Sequence, residues 1–167
     1  EEDLGTAGAV KYAQKYINDT FFVISADLVT DIDLTKAYNY HKNSSSFSTI
    51  ILYQVIDPLH YGVVITDKEG RITKFLEKPT WGEIFSDRIN AGIYIFQPEV
   101  FDLIPTDKNF DFSNDLFPKM LDEKLNLRGY NAEGYWKDIG NLEEYLIASM
   151  DFAHGKVKLY SNELIGE

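Results

Sequence analysis

Two aspartates stand where a strand hands the chain on to a turn. The run Phe21-Phe22-Val23-Ile24-Ser25-Ala26-Asp27-Leu28 delivers Asp27 directly after a short, continuously apolar stretch, and Gly134-Tyr135-Trp136-Lys137-Asp138-Ile139-Gly140 does the same for Asp138. Ligands of open α/β sheets collect beyond the carboxyl ends of strands. Mg²⁺ commonly takes one or two carboxylates and completes its octahedron with water and phosphate oxygens. Two such acids from distant segments are what a metal-bridged phosphate site requires. Each also has a plainer explanation. Asp27 fits a solvated turn or an Asx turn equally well. Asp138 can cap the helix that follows, with Trp136 serving the core. Asp31 and Asp33 are nearby competitors, and Asp33 is better explained as a helix cap.

Three further segments present groups suited to binding. Glu77-Lys78-Pro79 closes a strand and aims an acid and a cation at one rim of the sheet. Lys78 suits a substrate phosphate and Glu77 suits sugar hydroxyls, while an ordinary strand-end ion pair accounts for both as well. Leu4-Gly5-Thr6-Ala7-Gly8-Ala9 sets small residues and free backbone N–H groups at a helix start, fit either for close approach by a flat or anionic ligand or for a tight turn into a packed helix. His41, His60 and His154 show no ligand spacing to one another and read as structural or exposed.

The elements that must position these groups follow from periodicity. Helices are expected over Thr6 to Asp19, with Val10, Ala13 and Ile17 on one stripe, over Leu34 to Lys42 behind the Asp33 cap, and in a short piece from Pro98 to before Pro105. Two more are expected behind a Ser113 cap and behind Asn141. The last has Glu144 in capping-box position and Leu142, Tyr145, Leu146, Ser149 and Ala153 clustered. Strands are expected at Phe21 to Ser25, covered on both faces, and at Ser48 to Ile56, Tyr61 to Thr66, Arg71 to Glu77 and Ile89 to Phe96. Leu125 to Tyr130 and Glu133 to Lys137 complete the set. Alternating helices and strands with a central run of hairpin strands imply an α/β layered domain with a mixed sheet. Because the chain enters a helix with no strand before it, sequence is expected upstream.

Composition narrows the partners. A chain of 167 residues that is 44% apolar sustains one core, and zero cysteines leave oxygen or histidine as the only metal ligands. The formal charge of −11 argues against general nucleic-acid binding, which needs a basic surface. No apolar run reaches the ~20 residues of a membrane span, so a soluble, cytoplasmic unit without a membrane partner is expected.

Leu4-Gly5-Thr6-Ala7-Gly8, Ser25-Ala26-Asp27, Tyr61-Gly62-Val63-Val64, Phe75-Leu76-Glu77-Lys78-Pro79, Ile89-Asn90-Ala91-Gly92-Ile93-Tyr94 and Tyr135-Trp136-Lys137-Asp138-Ile139-Gly140 occur in the order seen in sugar-1-phosphate nucleotidyltransferases. The resemblance spans nearly the whole chain, and the Leu-Gly-Thr-Ala-Gly form is most similar to the mannose-1-phosphate guanylyltransferase branch. It implies a Rossmann-like, GT-A-like three-layer domain over 1–154, without its first strand and Gly-rich loop. An exit linker over 155–167 would lead toward a left-handed β-helix. It implies Asp27 and Asp138 on a catalytic Mg²⁺, with Lys78 also catalytic. Gly5 and Thr6 would lie against the nucleoside, and Gly62, Glu77, Lys78, Asn90 and Gly92 would bind the sugar phosphate. The implied reaction is attack of the sugar-1-phosphate oxygen on the α-phosphorus of a nucleoside triphosphate, GTP in that branch, with pyrophosphate leaving. A homo-oligomer is expected for the full-length form. Members of that family grip the triphosphate with an Arg and a Lys on a loop ahead of the Leu4 segment, so the 167-residue chain alone is expected to be inactive. The rivals are thymidylyl or uridylyl transfer to glucose-1-phosphate, and a non-catalytic regulatory subunit of the same fold.

Overall fold

The computed structural model describes residues 3–77, 79, 80, 82 and 86–158. The chain opens on α1 (Gly5–Lys11), which Gly5 enters at φ +68°. A Cβ on Gly5 would stand 2.7 Å from the Phe110 carbonyl oxygen, so only glycine lets this helix start lie against that backbone. The same carbonyl accepts from Ala7 N at 3.0 Å and Gly8 N at 2.9 Å. The expected single helix from Thr6 to Asp19 is corrected: α1 ends at Lys11, and a separate 3-10 turn covers Gln14–Tyr16. Only Ala7 and Gly8 of α1 are buried. Beyond it, no residue from Tyr12 to Tyr16 is buried, and a segment without a buried face has little beyond propensity to extend a helix.

Then follow β1 (Phe21–Ile24), β2 (Leu28–Thr30) and α2 (Leu34–Asn43). As expected, Asp33 caps α2 by accepting from Lys36 N at 3.0 Å. The central strands are β3 (Ser48–Gln54), β4 (Gly62–Thr66), β5 (Ile72–Glu77) and β6 (Arg88–Phe96). A 3-10 helix (Pro98–Leu103), a π turn (Phe112–Leu116) and α3 (Phe117–Asp122) come next, and β7 (Leu127–Asn131), β8 (Trp136–Asp138) and α4 (Leu142–Ala153) close the fold. Asp111, not Ser113, caps the π turn, accepting from Ser113 N at 2.9 Å and Asn114 N at 3.1 Å.

The sheet runs β5-β4-β6-β3-β7, with β1 also on β6. The β3–β7 pair is parallel and the rest antiparallel, as expected for a mixed sheet. A separate antiparallel ribbon joins β2 to β8. Side chains of β3 and β6 alternate between the two faces. Ile50, Leu52, Tyr94 and Phe96 join Phe101, Phe112 and Phe117 on one side, while Ile51, Ile93 and Ile95 join Ala37 of α2 and Trp136 on the other. One expectation of burial is corrected. β1 is only half-buried, with Ile24 46% exposed, because among the described residues it pairs with β6 alone. The α4 stripe faces outward, with Leu142 73% exposed and Ala148 the one buried residue of that helix. Helical spacing marks a face without saying what lies against it. No helix among the described residues is long and apolar enough to cross a membrane.

Between the sheet and α2 lies a polar chain that runs from half-buried Thr20 and Gln97 to buried His41 and Thr49. Thr20 Oγ1 donates to Gln97 Oε1 at 3.3 Å, Gln97 Nε2 donates to His41 Nε2 at 2.8 Å, and His41 Nδ1 donates to Thr49 Oγ1 at 2.9 Å. This order needs a neutral imidazole, and burial pushes the His41 pKa below its ordinary 6.5. The unfolded chain therefore binds the proton more readily, so the stability His41 contributes is complete above about pH 6.5 and is lost as pH falls below it. Urea titrations across about pH 5 to 8 should show a stability loss on the acid side that His41→Gln flattens. An identical slope in parent and variant would refute the assignment.

Candidate functional site

The site arises because β1 and β4 share one edge of β6. β3 occupies the other edge from Phe96 to Arg88. β1 runs along the far half, ending with Ile24 opposite Ile93, and β4 meets the near half at Val63 opposite Ile89. The carboxyl end of β1 and the amino end of β4 thus converge on Asn90, Ala91 and Gly92. There the ladder breaks: Ala91, Gly92 and Ile93 stand opposite the single Ile51 of β3. Gly92 adopts φ +70°, and a Cβ on it would lie 3.0 Å from Ser25 Oγ. The bulge is held from within by Asn90, whose Oδ1 accepts from Gly92 N at 3.0 Å and whose Nδ2 donates to Tyr94 OH at 3.0 Å. Ser25 N closes the seam on Gly92 O at 2.9 Å.

A cleft of about 300 Å³ opens over this break, and Asp27, Gly62, Glu77, Asn90, Gly92 and Asp138 all line it. Six residues named from sequence are therefore brought together from five separate segments. Asp138 arrives through the β2–β8 ribbon, where it pairs with Leu28, and Ile139 N donates to Asp27 O at 2.8 Å. Both carboxylates face Gly140: a Cβ there would stand 3.0 Å from Asp138 Oδ1 and 3.5 Å from Asp27 Oδ2. Asp138 Oδ1 accepts from Gly140 N at 2.7 Å, whereas the cap of α4 is Asn141, accepting from Glu144 N at 3.0 Å. Glu144 does not return to Asn141; its carboxylate pairs with Lys137.

Gly62 makes room for Glu77. A side chain on Gly62 would put its Cβ 2.9 Å from Glu77 Oε2 and 2.9 Å from Phe75 Cζ. Trp136 floors the cleft, with Nε1 donating to Ala91 O at 2.9 Å and its ring against Tyr53 and Tyr61. Burial first, then the Asp138 and Glu144 charges, raise the Tyr61 hydroxyl above its ordinary pKa of 10. Burial carries Tyr94 to about 12. Both phenols stay protonated.

Other assignments fall elsewhere. Gly5 lines neither this cleft nor its neighbour. Thr6 lines the neighbouring cleft of about 290 Å³, which shares Ser25, Tyr94 and Ser113 with the first. The Thr6 hydroxyl is engaged, donating to Asp111 Oδ2 at 2.6 Å and accepting from Phe112 N at 3.1 Å. Lys78 lies outside the described residues. Residues not singled out from sequence also line the cleft: Ser25, Tyr61, Tyr94, Ser113 and the exposed His60, which belongs to the wall shared with a further pocket beside Asn141 and Glu144. The Tyr-Gly step at 61–62 was the one local signal for this wall.

The donor set suits a hard cation. Among the described residues no group of three or more His, Cys, Asp or Glu forms a metal cage. Two carboxylates facing one glycine leave the remaining positions of an octahedral ion to water and ligand oxygens, as Mg²⁺ prefers.

The family profile described as "Nucleotidyl transferase" matches residues 1–155. A UTP–glucose-1-phosphate uridylyltransferase of Synechocystis is 43% identical over 147 residues, covering 85% of this chain and 38% of its own length. A mannose-1-phosphate guanylyltransferase of Mycobacterium tuberculosis is 35% identical over 157 residues, 93% of this chain and 43% of its own. The chain thus spans less than half the length of these relatives. Among solved structures, HddC from Yersinia pseudotuberculosis superposes with a TM-score of 0.75 at 32% identity, over 91% of this chain and 64% of that one. A thymidylyltransferase-like structure from Bacillus anthracis, at 22% identity and a TM-score of 0.79, shares the fold. The expected Rossmann-like architecture is borne out, and the chain belongs to the nucleotidyl transferase family.

Proposed function

We propose that this chain is the metal-binding and sugar-phosphate-binding portion of a sugar-1-phosphate nucleotidyltransferase, acting in guanylyl transfer to mannose-1-phosphate. The observation that carries the reading is the meeting of the Asp27 and Asp138 carboxylates at Gly140, in one cleft with Gly62, Glu77, Asn90 and Gly92. In the reaction a sugar-1-phosphate oxygen bonds to the α-phosphorus of the triphosphate while the bond to pyrophosphate breaks. Such chemistry rests on positioning and charge neutralisation, with no protein nucleophile. Asp27 and Asp138 would hold a divalent ion, which supplies positive charge to the phosphate oxygens. Glu77 accepts from sugar hydroxyls. Asn90 has a second amide proton beyond the one given to Tyr94, and protonated Tyr61 is a donor at the same wall. Trp136 presents an apolar floor that excludes water from one face.

A second reading is uridylyl transfer to glucose-1-phosphate, favoured by the 43% identity to the Synechocystis uridylyltransferase. Calorimetry of the chain with GDP-mannose and with UDP-glucose separates them by which product binds tighter. A non-catalytic subunit is answered by the same titration: binding that ignores divalent ion would support it and sink the enzyme reading.

Asp138→Asn should weaken Mg²⁺-dependent binding of the preferred sugar nucleotide about 10- to 100-fold, as loss of a charged ligand contact does. Gly140→Ala, which keeps both acids but puts a methyl between them, should have a similar effect with little change in thermal midpoint. Gly62→Ala should lower affinity for the sugar phosphate by about 10-fold through displacement of Glu77. Retained affinity in all three would remove this cleft from the function.

A further inference from the structure

Asp31 was read from sequence only as a competitor of Asp27, and the cleft does not include it. It is nevertheless 6% exposed, a carboxylate buried at the end of β2. Its Oδ1 accepts from Tyr135 N at 2.6 Å, its Oδ2 accepts from Lys158 N at 2.7 Å, and its own N–H donates to Tyr135 O at 3.1 Å. Thr30 Oγ1 donates to the same Tyr135 carbonyl at 2.8 Å. Gly134 sits at φ +114°, and a Cβ there would collide with Asp31 Oδ1. The turn leading into β8 is therefore wrapped on one carboxylate.

We infer that Asp31 is a positioning residue that sets the Asp138 carboxylate against Asp27, an inference that rests on reading those two acids as the ion-binding pair. β8 reaches Asp138 through three ladder pairs, Thr30 with Trp136, Val29 with Lys137 and Leu28 with Asp138. A two-stranded ribbon this short is marginal alone, and a slip of one residue turns every side chain to the opposite face. Asp31 grips both backbone groups of Tyr135, the residue just ahead of the first pair, and so pins the register. Asp27 is fixed to the same ribbon by the bond from Ile139 N. The spacing of the two acids thus depends on a third that lies outside the cleft. Lys158 takes the other oxygen, so the segment beyond α4 hangs from the same clamp without bearing on the register.

The test measures Mn²⁺ affinity of the chain by electron paramagnetic resonance in the presence of GDP-mannose, together with the thermal midpoint. Asp31→Asn keeps the shape but turns an NH₂ toward one of two N–H donors. It should weaken Mn²⁺ binding about 10-fold, the low end for outer-shell ligand support, while Lys158→Pro, which removes only the second donor, stays within about twofold of the parent. If Asp31→Asn fails to fold, Thr30→Val, which deletes the bond to Tyr135 O together with the one Thr30 Oγ1 accepts from Ile32 N at 3.2 Å, is expected to weaken binding in the same direction. Mn²⁺ affinity retained in a folded Asp31→Asn chain, with binding still abolished by Asp27→Asn, overturns the positioning role alone. An equal loss in Lys158→Pro assigns the effect to general loosening and overturns it too. A parent chain whose Mn²⁺ binding ignores both Asp27→Asn and Asp138→Asn overturns the ion-binding reading itself, and the positioning role with it.

Discussion

One edge of β6 carries two strands that do not meet, and the rest of the site depends on that gap. β1 and β4 both pair antiparallel with β6 and leave Asn90 to Gly92 between them. A flat ladder would close this interval with backbone hydrogen bonds. Instead three residues of β6 oppose one of β3, and the strand bends away where Gly92 takes a left-handed conformation. The insertion amounts to two residues, not one, so the alternation of faces survives and Ile89, Ala91, Ile93 and Ile95 all stay in the same core cluster. The fold makes a hole in its sheet edge without exposing its core.

Around the hole, polar groups are held by backbone far more than by each other. Asp27 and Asp138 are placed by the β2–β8 ribbon and by N–H groups of Ile139 and Gly140. Asn90 is held by its own bulge, through Gly92 N and Tyr94 OH. Glu77 has space because Gly62 has no side chain. On the proposed reading, such a site costs little reorganisation when charge arrives, since its groups are already held in place. On that reading it also reconciles a strongly acidic chain with anionic ligands: the chemistry would be local, set by two carboxylates and a handful of N–H and O–H donors, whatever the net charge of −11 does at long range.

Element by element, α2 and the strands other than β2 and β8 were legible to within a residue or two, because runs such as Ser48 to Gln54 and Arg88 to Phe96 combine β-branched and aromatic residues with flanking turn signals. The failures share a cause. The helix after Lys11 and the burial of β1 each required knowing what lay across from the segment. A stripe such as Leu142, Tyr145 and Leu146 has the same spacing whether it meets a partner or solvent. Short β2 was missed because three residues carry no period.

The amino-acid sequence by itself determined the chemistry available: oxygen ligands in place of thiolates, acids placed just after strands, glycines where backbones must approach, and a mixed α/β order. Tertiary structure alone decided which acid does what. Asp33 is legible as the α2 cap, whereas Asp27, Asp31 and Asp138 look alike on the chain, yet two face Gly140 and one clamps a turn. Side-chain type sets what a residue can bind. Only the pairing of β1, β4 and β8, in the last case across more than a hundred residues, sets where it stands, and that pairing is a property of the packed sheets as a whole.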